Sequence, residues 1–184
     1  MKPNVPAQSP DEIFDVVDES DRVVGQATRA EVHRRRLLHR AVHIVVSDGR
    51  GNVVLQKRSL AKDTCPGLLS TSCAGHVDAG ESYETAARRE LEEELGIPAA
   101  DAPAPEFLFA MRPCRETGWE FLRVYRLDRA GPLTPNPAEI DALIAFPPAE
   151  IDALTEKSPE LFSESFLRVW KKLRAAPAGE FPRN

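Results

Sequence analysis

Between Gly75 and Ile97 the chain reads GHVDAGESYETAARRELEEELGI, and no other stretch constrains the fold as tightly. After Ser82 come small and long unbranched residues with no Pro or Gly until Gly96, and Pro98 stands just beyond. The pattern predicts a helix that begins near Glu81–Ser82 and stops at Gly96. Tyr83, Ala87, Leu91 and Leu95 recur at spacings of four and give the helix an apolar stripe to bury. Glu90, Glu93 and Glu94 stand at i, i+3 and i+4, so they share a face with Cβ atoms about 5–6 Å apart. Carboxylates that close repel one another and call for positive charge. Arg88 and Arg89 meet part of that need. A hard divalent ion such as Mg²⁺ or Mn²⁺ meets it better, because it takes carboxylate oxygens and keeps water positions open for a phosphate substrate. Taken alone, the cluster reads as a solvated acidic face, the commoner fate of such runs.

The rest of the chain sets the class. At 184 residues with 42% hydrophobic and 29% charged residues, a single soluble domain is expected. Its limits read as 11–174, between a polar, Pro-rich leader at 1–10 and a tail at 175–184. The net charge of −5 argues against nucleic acid or an acidic membrane as partner. Three cysteines without a CxxC pair (Cys65, Cys73 and Cys114) suit reduced thiols in the cytoplasm. No signal peptide or membrane span is expected.

Strands are predicted at Ile13–Val17, Arg22–Ala27, Ala41–Ser47, Val53–Lys57, Cys73–Val77, Phe107–Met111 and Trp119–Leu127. Thr28-Arg-Ala-Glu31 opens a short helix. It ends in a basic cluster, Arg34, Arg35, Arg36, His39 and Arg40, which is either a solvated helix end or a diphosphate contact. Arg58–Ser72, Arg112–Glu120 and Gly131–Phe146 read as loops. Short and long terminal helices are expected at Pro148–Leu154 and from Ser158 to about Arg174. These elements predict an α/β (α+β) layered domain. Arg58 and Lys62 follow a strand end and precede Pro66-Gly67, where they could hold phosphate or be ordinary surface bases. Trp119 and Phe121 could flank a planar group or simply pack.

Gly75, Glu81, Arg89, Glu90, Leu91, Glu93, Glu94, Gly96 and Ile97 fill nine specified positions at fixed spacing, none missing. This stretch resembles the box of the Nudix hydrolase family. The resemblance implies the Nudix fold, a mixed β-sheet sandwiched between α-helices, with the box as a loop–helix–loop. It implies a Mg²⁺-dependent enzyme, with Mn²⁺ as substitute. Such an enzyme cleaves a diphosphate bond in a nucleoside diphosphate linked to another moiety, or in a related small-molecule diphosphate. On this pattern Glu90, Glu93 and Glu94 bind metal. Glu93 is the first choice as base. Arg89 orients a box carboxylate, with Glu81 doing similar work, and Gly75 lets the backbone approach the metals. His76 and Glu120 join Arg58 and Lys62 on the substrate side. A homodimer is common in the family, and the N-terminal hairpin is a candidate interface.

A second similarity crosses the first. His39-Arg-Ala, Gln56-Lys-Arg58, Lys62, Pro66-Gly67 and Cys73-Ala-Gly-His76 resemble the type 1 isopentenyl diphosphate isomerases, a Nudix-fold branch. Those enzymes bind metal through His and Glu and use a Cys and a Glu for proton transfer. The resemblance makes His33, His39, His76 and Glu120 the nearest counterparts. Two departures weigh against isomerisation. Ala74, not a cysteine, precedes Gly75, so Cys73 is turned to the other strand face. The box also keeps every hydrolytic carboxylate. A hydrolase from the isomerase-like side of the family is therefore expected, with an isomerase or a non-catalytic nucleotide-binding module as alternatives.

Overall fold

The computed structural model describes residues 8–98, 100 and 103–175. Most of the expected leader and of the expected tail lie outside these residues. β1 (Ile13–Val17) and β2 (Val23–Thr28) form an antiparallel hairpin. Its turn is tied by the Asp18 carboxylate, which accepts from the backbone N–H groups of Ser20 and Arg22. The Thr28 hydroxyl accepts from Glu31 N–H and caps the short helix α1 (Arg29–Arg35).

The long, valine-rich β3 (His39–Ser47) is followed by β4 (Val53–Arg58), the two-residue β5 (Leu69–Ser70) and β6 (Cys73–His76). The box helix α2 (Tyr83–Leu95) starts where Ser82 accepts from Thr85 N–H, and ends at Gly96 with φ 63°. That left-handed conformation is cheap only for glycine and closes the last turn. β7 (Glu106–Met111), β8 (Glu120–Asp128), β9 (Ile140–Phe146), α3 (Pro148–Lys157) and α4 (Glu164–Ala175) complete the order.

β3 is the axis of a seven-stranded mixed sheet. It runs parallel to β8 on one edge and antiparallel to β6 and β4 on the other. Its alternation serves two cores. Ala41 and Val45 face α3 and α4, against Ile151, Phe166, Val169 and Trp170. Val42, Ile44 and Val46 face α2, against Tyr83, Ala87, Leu91 and Leu95, the stripe expected from the sequence. Each fully buried Val, Leu, Ile or Phe among them contributes about 1.5–3 kcal/mol. The sheet thus lies between helices, as expected.

Three expectations change. Gly131–Phe146 is not loop throughout, since β9 pairs antiparallel with β4 over Val53–Arg58. Its pattern, IDALIAF, alternates poorly between flanking prolines, and the edge of β4 decides it. Arg58–Ser72 contains β5, paired with β4. The last helix begins at Glu164 rather than Ser158, because Phe162 is extended, bridges to Leu69 and is buried. Ser163 then caps α4 by accepting from Phe166 N–H.

Candidate active site

α2 and β6 meet at Gly75, where a Cβ would run into the Glu90 carboxylate, so glycine leaves the room that this side chain fills. The three box carboxylates lie at two depths. Glu90 and Glu94 are 8% and 2% exposed, whereas the Glu93 side chain is 57% exposed. Arg89 ties the cluster together. It donates to both oxygens of Glu81 (3.1 and 2.9 Å), to Glu90 (2.6 Å), to Glu93 (3.1 Å) and to the His76 carbonyl (2.9 Å). Burial works against the Arg89 charge, but the bonds from Glu81 and Glu90 outweigh it and hold the guanidinium firmly protonated.

Glu94 Oε2 accepts from Ala74 N–H at 3.2 Å and from Gln56 Nε2 at 3.3 Å. The Lys62 ammonium sits 4.0 Å from Glu94 Oε1 and is paired with Glu139. Burial, followed by the neighbouring Glu94, raises the Glu90 carboxyl above its ordinary range. Glu94 is raised too, by burial against the pull of Lys62. Buried acids that resist ionising alone, beside a glycine cradle, fit a hard divalent ion.

These groups open on a cavity of about 280 Å³, which also receives Arg58, Lys62, Arg29, His43, His76 and Glu120. Arg58 and Lys62 are 8% and 7% exposed, which removes the reading as ordinary surface bases. Arg58 is aimed by Thr64, whose carbonyl and hydroxyl accept from it at 3.0 and 3.2 Å.

Opposite the box stand His33, His39, His76 and Glu120. Arg29 can only donate, so its 3.0 Å contact makes His76 Nδ1 the acceptor. His76 Nε2–H therefore donates to Glu120 at 3.1 Å. His39 Nδ1 lies 2.9 Å from the Leu37 carbonyl and must donate to it, which leaves its Nε2 as a lone pair 3.6 Å from Glu120. That distance is too long for a hydrogen bond, and His39 Nε2 and His33 Nε2 are both buried without a partner. One ring nitrogen from each of the three histidines lies within 4.8 Å of the others. Phe14, fully buried, stacks on His76 at 4.6 Å and fixes the rings. Burial drives the His76 pKa down to about 4, against the bond from Glu120. Burial opposes the Glu120 charge, but the hydrogen bond from His76 holds its carboxyl well below the usual range. The three ring nitrogens, with the Glu120 carboxylate beside them, are a donor set that suits a transition metal.

The structure brings Arg58, Lys62, Gly75, His76, Arg89, Glu90, Glu93, Glu94 and Glu120 to one cavity. It does not bring Trp119 or Phe121 there, because both sit outside the lining. Nor does it bring the basic cluster: Arg34, Arg35 and Arg36 line no part of the cavity, Arg35 pairs with Glu31, and Arg40 pairs with Asp21. Cys73 is fully buried among α2 residues and lines no part of the cavity, although its Sγ lies within 4.8 Å of the Glu90 and Glu94 carboxylates. Burial, then Glu94 and Glu90, keep its thiol protonated. Sequence reasoning passed over Arg29, His43 and Glu139 as site residues. No local pattern marks them, and Glu139 reaches Lys62 across 77 positions.

A family model described as NUDIX domain matches residues 37–166. An uncharacterised Nudix hydrolase of Yersinia pestis is 41% identical over 143 residues, covering 77% of this chain and 76% of its own. The isopentenyl-diphosphate Delta-isomerase 2 of Photorhabdus laumondii is 32% identical over 176 residues, covering 94% and 98%. The crystal structure of DR0079 from Deinococcus radiodurans matches with a TM-score of 0.77 at 27% identity, covering 88% of this chain and 98% of that one.

Proposed function

The chain belongs to the Nudix hydrolase family, whose members act on pyrophosphate bonds, and on that premise we propose that it is a Mg²⁺-dependent diphosphatase. Its substrate is a nucleoside diphosphate linked to another moiety or a related small-molecule diphosphate, and its setting is cytoplasmic. Among the described residues no helix is long and apolar enough to cross a membrane. The observation that carries this reading is the buried pair Glu90 and Glu94, which opens on the cavity that also holds Arg58 and Lys62.

Glu90, Glu93 and Glu94 would hold the metal, with Mn²⁺ able to replace Mg²⁺. The bound ion offsets phosphoryl charge and acidifies a water. The remaining work falls to the chain. Arg89 fixes the directions of Glu90 and Glu93, while Ala74 N–H and Gln56 fix Glu94. Arg58 and Lys62 take phosphoryl oxygens. Glu93, the most exposed of the three, receives the proton of the attacking water. The test is phosphate release from a panel of nucleotides, nucleoside diphosphate sugars, dinucleotides and isoprenoid diphosphates, with and without Mg²⁺. Metal-dependent release that disappears in Glu94→Gln is the expected result. Release undiminished in both Glu93→Gln and Glu94→Gln would end the hydrolase reading.

A second reading, an isopentenyl diphosphate isomerase, draws on the histidine cluster with Glu120. Cys73 is fully buried and lines no part of the cavity, which weighs against it. Deuterium uptake into isopentenyl diphosphate from heavy water, dependent on Cys73, would favour it. Absence of uptake removes it.

A further inference from the structure

One cavity residue has no part in the roles above. His43 lies on β3 directly opposite Ala74 of β6, and Ala41 is likewise opposite His76. Side chains of such cross-strand pairs share a face, so His43 projects with Ala74 and His76 on the cavity side. Its ring is 4% exposed and contributes to the cavity wall with Arg58 and Glu120.

The ring's protonation pattern follows from its surroundings. His43 Nδ1 is 2.9 Å from the hydroxyl of Thr71, and that hydroxyl is 3.3 Å from the Cys73 carbonyl. Thr71 is fully buried and has one proton to give. Were it given to Nδ1, the contact with the carbonyl would hold no hydrogen. With the proton on Nδ1, both contacts become hydrogen bonds: Nδ1–H donates to Thr71, and Thr71 donates to the Cys73 carbonyl. Nε2 then keeps its lone pair. It has no protein partner among the described residues and is not among the sealed, unpartnered atoms, so the lone pair opens on the cavity. Burial, opposed by Glu120 and aided by Arg58, brings the His43 pKa down to about 4, so the ring stays neutral at physiological pH.

An ionised diphosphate offers only acceptors, which suit Arg58 and Lys62 and repel a lone pair. The lone pair of His43 needs a donor from elsewhere on the substrate. We propose that His43 is a specificity-determining residue whose Nε2 accepts a hydrogen bond from a hydroxyl on the group esterified to the diphosphate, so that the site selects polyol- or sugar-bearing diphosphates over donor-free ones. This inference rests on the diphosphate reading of the cavity and extends it.

The decisive comparison uses the glyceryl and propyl esters of methylenediphosphonate, whose P–C–P bridge resists hydrolysis and which differ only in their hydroxyls. Titration calorimetry on the Mg²⁺-loaded protein should give tighter binding of the glyceryl ester by about three- to tenfold, the worth of one neutral hydrogen bond. His43→Leu should erase that preference, and His43→Gln, which restores an acceptor, should recover part of it. Independently of any variant's folding, ¹⁵N NMR of the wild-type protein should report His43 as the Nδ1–H form, with Nε2 shifting on addition of the glyceryl ester alone. An Nε2–H ring, equal affinity for the two esters, or a preference that survives His43→Leu would overturn the proposal. Binding of neither ester would overturn the diphosphate reading with it. A glyceryl preference in a protein that releases no phosphate from any substrate would instead remove hydrolysis and leave the role of His43 standing.

Discussion

Arg89 acts on the carboxylates around it rather than on a substrate. Its fork holds Glu81 at two points and reaches Glu90, Glu93 and the His76 carbonyl. A lysine carries the same charge but no planar fork. Arg89→Lys should therefore weaken Mn²⁺ binding by about tenfold or more, a loss of at least ~1.4 kcal/mol. Electron paramagnetic resonance titration of Mn²⁺ would read this directly, and affinity equal to wild type would refute the orienting role. His39 offers a parallel case, where its Nε2 lies 3.6 Å from Glu120 and near ring nitrogens of His33 and His76. His39→Ala should reduce the zinc or manganese retained after metal loading and desalting, while Mg²⁺-dependent phosphate release persists at the box. Elemental analysis showing unchanged metal content would count against a metal at the histidines.

The box helix was legible from its residues because its signals are local. Ser82 caps it, Gly96 ends it, and its stripe at spacings of four meets the sheet. Element-scale predictions follow the same logic. Ser82→Ala should cost about 1 kcal/mol in urea denaturation, the worth of a lost N-cap. Gly75→Ala should do more harm, because its new Cβ meets the Glu90 carboxylate. Overpacking of this kind costs about 1–3 kcal/mol, and it should also lower Mn²⁺ affinity, with a wild-type titration curve as the contrary result. What stayed hidden depends on distant partners. β9 exists because β4 has an open edge, and Phe162 is pulled straight by Leu69. Of the candidate site, the carboxylates stand out through the nine-position pattern of the Nudix box, and Arg58 and Lys62 through their place between a strand end and Pro66-Gly67. Arg29 and His43 do not, since only the tertiary fold brings Arg29, at the start of α1, to His76 and sets His43 of β3 opposite Ala74 of β6.

At the scale of the whole molecule, the buried carboxylates make the metal part of the folding balance. Glu90 and Glu94 both have folded-state pKa values raised above 4.5, by burial first, with Lys62 relieving Glu94 only in part. A raised acid holds more protons in the folded than in the unfolded state. By linkage its contribution to stability falls as pH rises from the unfolded value through the folded one. The buried histidines have the opposite sign. His43 and His76, lowered from 6.5 to about 4, lose stability as pH falls through that range and contribute no slope above it. From about pH 6.5 upward, the metal-free protein should therefore lose stability through the carboxylates. A bound divalent ion removes the penalty, because the ionised form is the form it binds. The rise in melting temperature caused by saturating Mg²⁺ should thus grow between about pH 6.5 and pH 8, at about 2–4 °C for each kcal/mol. Differential scanning calorimetry with and without Mg²⁺ measures it, and the histidine terms cancel in the difference. Glu94→Gln keeps the shape of the side chain but removes one ionisable ligand, so it should raise metal-free stability at pH 8 and shrink the Mg²⁺ effect. A Mg²⁺ effect flat with pH, or one of equal size in the variant, would place the ion somewhere other than these two carboxylates.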